Sequence, residues 1–226
     1  MKEFDLLKSY RTVNKRVFNK NYRTIKNRII ATYKDKQFYD GSRKNGYGGY
    51  LDDGRWAKIA QKIFKIYNLK KNAKILQIGC DKGFLLNEIN RMFPKSKING
   101  VENSLYPISK APKQIKKKIK FCEYTKLPFK RNYFDFVIAI GPVYSLNLRD
   151  SIRCLKEINR VGKGKSFITL GSYNNRKDFD LFSSWTLLGS TIMTKNEWRI
   201  LLKHTKYKGD YKFNTAKSLN LSFKKK

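Results

Sequence analysis

The chain has 226 residues, with 51 Lys and Arg against 17 Asp and Glu, a formal charge of +34. Hydrophobic residues make up 40% and aromatics 14%, enough for a real core, so a wholly disordered chain is excluded and one domain, or a domain with an added arm, is expected. No apolar run reaches the ~18 residues of a membrane-spanning helix. The opening MKEFDLLKSYRTVNK has neither the apolar stretch nor the small-residue cleavage site of a secretory signal, and a cytoplasmic location is expected.

Three widely spaced cysteines (Cys80, Cys122, Cys154) and the single His204 match no common zinc spacing and no disulfide framework. Reduced thiols and no metal are expected. His204, at the polar end of a late helix, reads as a surface residue.

The charge has two accounts. Lysines number 38 and arginines 13, beside abundant Asn, Ile, Tyr and Phe, which is the residue set of A/T-rich codons. The alternative is a phosphate-bearing partner. The lysines are spread along the chain, clustering only at Lys116–Lys118 and Lys224–Lys226. On either account a field this positive holds polyanions, nucleic acid included, non-specifically at low salt.

In chain order, residues 1–33 are basic with scattered apolar positions and read as one or two helical pieces. DGSRKNGYGGY (40–50) holds four glycines and reads as a loop. Asp53 is placed to cap a helix over 55–68 with apolar positions at helical spacing. KILQIG (74–79) predicts a buried strand, FLLNEINRMF (84–93) an amphipathic helix and KINGVE (97–102) a second strand. A helix near 105–110 follows, then strands over 118–123 and 134–140. The second of these is apolar enough to be buried on both faces. A helix over 149–161, a fifth strand over 166–172, a polar break at 173–180 and a capped helix over 194–204 complete the alternation. The tail 210–223 reads as two antiparallel edge strands. Alternating strands and helices imply an α/β fold with a mostly parallel sheet and right-handed crossovers.

Gly79-Cys80-Asp81-Lys82-Gly83 lies between a strand and a helix start, where glycines let the backbone approach a ligand and free N–H groups face it. Glu102 ends the next strand, where a carboxylate can hold two ribose hydroxyls. A third glycine at dinucleotide spacing is missing, so a nucleoside cofactor other than a dinucleotide is indicated.

KILQIGCDKGF, GVENS (100–104), CEYTKLPFKRNYFDFVIAI (122–140) and LKEINRVGKGKSFITL (155–170) occur in order and resemble the motifs of class I S-adenosylmethionine-dependent methyltransferases over roughly residues 46–214. The resemblance implies a Rossmann-like fold with a seven-stranded sheet carrying an antiparallel edge strand. It divides the chain into a basic N-terminal helical arm and loop (1–45) and a methyltransferase domain (46–226). It implies S-adenosyl-L-methionine as cofactor. Gly79, Cys80 and Gly83 would line its methionine part, Glu102 would bind the ribose, and Asn103 would lie beside the adenine. Glu123 would accept from the adenine amino group, the Tyr124 backbone would touch the ring, and Gly141 would lie near the transferred methyl. Two positions depart from the pattern: Gln77 stands where the family has an acid, and Asp81 where it has a glycine.

RKNGYGGYLDDGRW (43–56) and YNNRKDFDLFSSWTLLGSTIMTKNEW (173–198) resemble a type 11-like subgroup of small methyltransferases associated with surface-polysaccharide gene sets. Such an entry segment suits a lid, with Tyr47 and Tyr50 offering hydroxyls and Arg55 a partner for the methionine carboxylate or an anionic substrate. The insertion with Tyr173 and Trp185 is where this fold builds its acceptor pocket. Tyr50, Asp53 and Tyr144 are the candidate bases or orienters. The expected acceptor is a small molecule, a sugar or nucleotide sugar, methylated on O or N. The alternatives are an RNA or ribosomal-protein methyltransferase, with Arg23, Arg28, Lys34 and Arg43 forming a basic face, or a non-catalytic nucleic-acid-binding protein with a degenerate cofactor site.

Overall fold

The computed structural model describes residues 1–10 and 15–224. Residues 11–14 of the arm and the last two lysines of the Lys224–Lys226 cluster lie outside the described residues. The elements are β1 (Arg16–Phe18), α1 (Ile25–Thr32), α2 (Lys36–Tyr39), α3 (Ala57–Ile66), β2 (Lys74–Ile78), α4 (Phe84–Met92) and β3 (Lys97–Glu102). They continue with α5 (Leu105–Ser109), α6 (Lys113–Lys116), β4 (Ile119–Phe121), β5 (Phe136–Ala139), α7 (Pro142–Ser145) and α8 (Leu148–Val161). The chain closes with β6 (Ser166–Tyr173), α9 (Arg176–Trp185), β7 (Met193–Thr194), α10 (Lys195–His204), β8 (Asp210–Asn214) and β9 (Leu221–Phe223).

Strands β4-β3-β2-β5-β6-β7 form one seven-stranded sheet, in which β8 also pairs with β6. The strand order reverses between β2 and β5, so the carboxyl ends of β2, β3 and β5 open onto one crevice. The central strands are apolar on both faces because helices cover both. Ile75, Phe136, Ile138 and Phe167 meet α3 and α4 on one side, whereas Leu76, Ile78, Val137 and Ile168 meet α8 and α10 on the other. Trp198 of α10 is fully buried and donates its indole N–H to the Gly171 carbonyl at 2.7 Å. Among the described residues no helix is long and apolar enough to cross a membrane.

Five expectations are corrected. The edge strand is not antiparallel: α10 carries the chain back across the sheet, so β8 runs parallel to β6, Phe167 opposite Asp210. The second tail strand leaves this sheet and pairs in parallel with β1, Arg16 opposite Leu221. The arm is less helical than its composition suggests. Among the described residues before 33 only α1 is an α-helix, and residues 2–4 lie along the open edge of β8, with Phe4 N–H on the Tyr211 carbonyl at 3.0 Å. Asp53 does not cap α3, whose N-cap is Trp56, because its carboxylate is taken by Arg55. The polar stretch after β6 turns helical at Arg176, capped by the Asn175 side chain.

Candidate active site

The turn after β2 is built from three residues with positive φ: Gly79 (62°), Asp81 (51°) and Gly83 (74°). A Cβ on Gly79 would sit 2.3 Å from Pro142 Cγ, so glycine there lets the β5–α7 turn cross close by. At Gly83 a Cβ would meet Ile115 Cδ1 at 2.4 Å, so this glycine serves packing against α6 rather than a ligand. Asp is one of the few other residues that tolerate the left-handed region. Asp81 therefore keeps the conformation of the glycine that the motif expects and adds a carboxylate.

That carboxylate is used. Tyr39 donates its hydroxyl to Asp81 Oδ1 at 2.6 Å and Tyr47 donates to Oδ2 at 3.1 Å, tying α2 and the glycine loop down over the turn. The Tyr47 ring stacks on Tyr50 at 4.6 Å, and Tyr50 packs on Phe84 at 4.9 Å. Lys82 Nζ holds Asp40 at 2.6 Å and the Tyr50 carbonyl at 2.9 Å. Burial, together with the neighbouring charge of Glu102, pushes the Asp81 carboxyl up to about 6. The Tyr39 and Tyr47 hydroxyls are pushed well above their ordinary range, chiefly by burial.

Glu102, at the end of β3, is fully buried. Its oxygens accept from Asp81 N–H at 3.0 Å, Asn103 N–H at 2.9 Å and the Tyr124 hydroxyl at 3.0 Å. The Nζ of Lys34, just past α1, ion-pairs with the same carboxylate and also donates to Asn103 Oδ1 at 2.9 Å. Ser104 Oγ donates to the Lys34 carbonyl at 2.8 Å, which fixes the lysine over the strand end.

A cavity of about 730 Å³ runs from this point past Ile140 and Gly141 to a wall formed by Tyr144, Phe182 and Trp185. Of the candidate residues, Tyr47, Gly79, Asp81, Asn103, Tyr124, Gly141 and Tyr144 line it, and Glu102 lies directly behind Lys34. Trp185 lines the far wall, as do Arg23 and Arg43 of the arm. Burial raises the Tyr144 hydroxyl above its ordinary range, so it stays protonated at neutral pH.

The structure does not bring the other candidates to the cavity. Asp53 and Arg55 are bound to each other at 2.5 Å (Nε to Oδ1) on an exposed loop. Tyr50 is 6% exposed and is a packing residue between Tyr47 and Phe84. Gln77 and Cys80 are buried inside the sheet and its turn, and Glu123 is exposed and does not line the cavity. Tyr173 packs on Phe179 at 5.1 Å instead of lining the pocket. His204 is exposed, the three cysteines are free, and among the described residues no cluster is suited to a metal. The residues that sequence reasoning missed as partners of Asp81 and Glu102 are Tyr39 and Lys34. A buried carboxylate demands a donor, but 38 lysines and 14 tyrosines gave no way to choose which.

The sequence pattern of a family described as a methyltransferase domain matches residues 69–216, which span β2 to β8. The chain is 30% identical over 154 residues to an uncharacterized methyltransferase of Schizosaccharomyces pombe, covering 62% of this chain and 52% of that one. It is 23% identical over 145 residues to a malonyl-[acyl-carrier protein] O-methyltransferase of Bacillus anthracis, covering 59% and 54%. The chain thus spans about half the length of the curated relatives it matches. A similar solved fold is the methyltransferase in complex with the Haloferax volcanii Trm112 methyltransferase activator, with a TM-score of 0.53 and 16% identity over 68% of this chain and 70% of that one. On its fold, its crevice and the family pattern that covers most of its length, the chain belongs to the methyltransferase-domain family.

Proposed function

We propose that the protein transfers a methyl group from S-adenosylmethionine to an O or N atom of a small molecule, a sugar or surface-polysaccharide precursor. One observation carries this reading: a single cavity joins the Glu102 end of β3 to the Trp185 wall and is roofed by the arm. Its volume, about 730 Å³, falls within the range of small-molecule sites, roughly 300–1,000 Å³. We take residues 1–45 as the arm, which roofs the cavity together with the glycine loop that carries Tyr47, and 46–226 as the methyltransferase domain.

The cofactor fits what lines the cavity. A ribose diol brings two hydroxyl donors, and Lys34 Nζ already places donors on Glu102 and Asn103 in that position. A Cβ at Gly141 would meet nothing within 4 Å, which leaves open space at the end of β5. Glu102 and Asn103 would hold the ribose side, Tyr124 the ring side, and Gly79 and Gly141 the methionine side. Bound there, S-adenosylmethionine supplies a methyl group on a sulfonium that needs no further activation.

The protein's own work is then position and exclusion of water. Asp81 is ionised above about pH 6, but both its oxygens are taken by tyrosine hydroxyls, so it holds the roof and is not a free base. The protonated Tyr144 hydroxyl orients an acceptor rather than deprotonating it. This favours an acceptor whose nucleophile arrives ready: a neutral amine, or an oxygen already ionised. An RNA or ribosomal-protein acceptor, or a non-catalytic nucleic-acid binder, draws on the charge alone. The basic arm that would serve it is folded inward, with Lys34 spent on Glu102.

The test is isothermal titration of nucleic-acid-free protein with S-adenosylmethionine and S-adenosylhomocysteine. Micromolar binding, lost ~100-fold or more in Glu102→Ala and in the isosteric Glu102→Gln, is expected from two charge-assisted hydrogen bonds. Absence of heat at millimolar ligand overturns the reading. Binding directs an acceptor screen that starts with nucleotide sugars.

A further inference from the structure

The far end of the cavity carries a feature that the cofactor does not explain. Arg23, between β1 and α1, is 8% exposed and lines the cavity wall. Its guanidinium lies 4.2 Å from the centre of the Trp185 ring, and those of Arg16 and Arg43 approach the same ring at 5.6 and 5.9 Å. Arg23 donates one Nη to the Trp185 carbonyl and the other to the Arg43 carbonyl at 3.3 Å. Arg28 donates to the Ser183 carbonyl in the same last turn of α9.

Helix-end carbonyls attract cations, and that accounts for part of the cluster. It does not account for the rest. Of the five donors of Arg23, Nε is buried without any partner. Among the described residues no carboxylate ion-pairs with Arg23 or Arg28. Burial and the repulsion of Arg43, Arg28 and Arg16 bring the Arg23 guanidinium down to about 10. A buried cation among like charges, with a donor unused, is expensive unless an anion joins it. The cavity is the space that Arg23 borders.

We infer that the acceptor carries an anionic oxygen group, phosphate or carboxylate, which binds Arg23 against the Trp185 face while the methylated atom lies toward Gly141. The inference rests on the methyltransferase reading for the word acceptor only; the anion site stands on Arg23 and Trp185 alone. Planar guanidinium donors suit two oxygens of either group, and the Trp185 ring keeps water from one side.

The experiment titrates the full chain at constant ionic strength with pyrophosphate and, separately, with malonate, reading tryptophan emission. S-adenosylhomocysteine binding is measured on the same samples by calorimetry. Arg23→Gln is compared with Lys117→Gln, which removes one charge from an exposed surface position. The expected result is a saturable emission change for at least one anion, absent in Trp185→Phe. It is weakened about tenfold in Arg23→Gln and unchanged in Lys117→Gln. Pyrophosphate or malonate as the stronger ligand separates a phosphorylated acceptor from a carboxylate. Should Arg23→Gln fail to fold, Arg23→Lys, which keeps the charge but not the fork, is expected to weaken the stronger anion. Equal weakening in Arg23→Gln and Lys117→Gln, or no saturable change in wild type, overturns the inference, because the anion then reads only diffuse charge. Loss of S-adenosylhomocysteine binding with retained anion binding would instead sink the cofactor reading.

Discussion

The two ends of the cavity are opposite in charge and in origin. At the sheet end two carboxylates, the half-buried Asp81 and the fully buried Glu102, sit 21 residues apart at the ends of consecutive strands. At the far end Arg23 meets the Trp185 carbonyl across 162 residues of chain. The first end is local architecture: strand, tight turn and helix place Asp81, and the neighbouring strand places Glu102. The second exists only once the arm has folded across α9. The sheet end thus takes its carboxylates from strand and turn topology, whereas the far end needs Arg23 of the arm set against Trp185 of α9.

The seam between the two ends is Lys34, an arm residue on a sheet-end carboxylate, and the largest effect is expected there. Lys34→Met leaves Glu102 buried without its cation. The cost is about 3 kcal/mol, or a fall of about 6–12 °C in Tm. The same substitution frees Glu102 for a ribose, so S-adenosylhomocysteine is expected to bind more tightly and to raise the variant's Tm by more than it raises that of wild type. Thermal denaturation with and without ligand reads both signs. A variant that loses affinity along with stability would make Lys34 part of the binding surface rather than its occupant, and would remove the seam.

A smaller effect belongs to Asp81. Its folded carboxyl titrates near 6, above its ordinary value of 3.8. Between those values the folded state holds a proton that the unfolded chain has released, so this group's contribution falls as pH rises through the window. Asp81→Asn abolishes that titration. The variant's Tm relative to wild type is therefore expected to rise from pH 4 to pH 6.5, whatever the offset from the altered tyrosine bonds. Parallel curves would place the Asp81 proton elsewhere.

The smallest effect tests the boundary of the site. Asp53 lies outside both ends, exposed and bound to Arg55, and Asp53→Ala is expected to change stability by less than ~0.5 kcal/mol and to leave turnover unchanged. A large loss of turnover would return the entry loop to the active site.

The same division governs what could be read from sequence. The strands of the α/β core are legible because each is a short apolar run ending in a turn, and Gly79, Glu102 and Gly141 follow from their places at strand ends. The direction of β8 is not legible from its own residues, since it depends on where α10 delivers the chain. Tyr50, Asp53 and Arg55 look like chemistry in sequence because hydroxyls, acids and glycines cluster there. In the fold, Tyr50 is consumed by ring packing and the other two by each other. Asp81 looks like a flaw in the glycine turn and becomes the anchor of the roof, because its partners Tyr39 and Tyr47 lie in a different stretch of chain.

In the proposed site, Lys34 holds the place of the cofactor's ribose on Glu102. A crystal structure of the full chain with S-adenosylhomocysteine tests it directly. The predicted result is the ribose on Glu102 with Lys34 Nζ withdrawn from that carboxylate and Tyr39 and Tyr47 still on Asp81. Ligand bound elsewhere, with the Lys34–Glu102 pair intact, would contradict it.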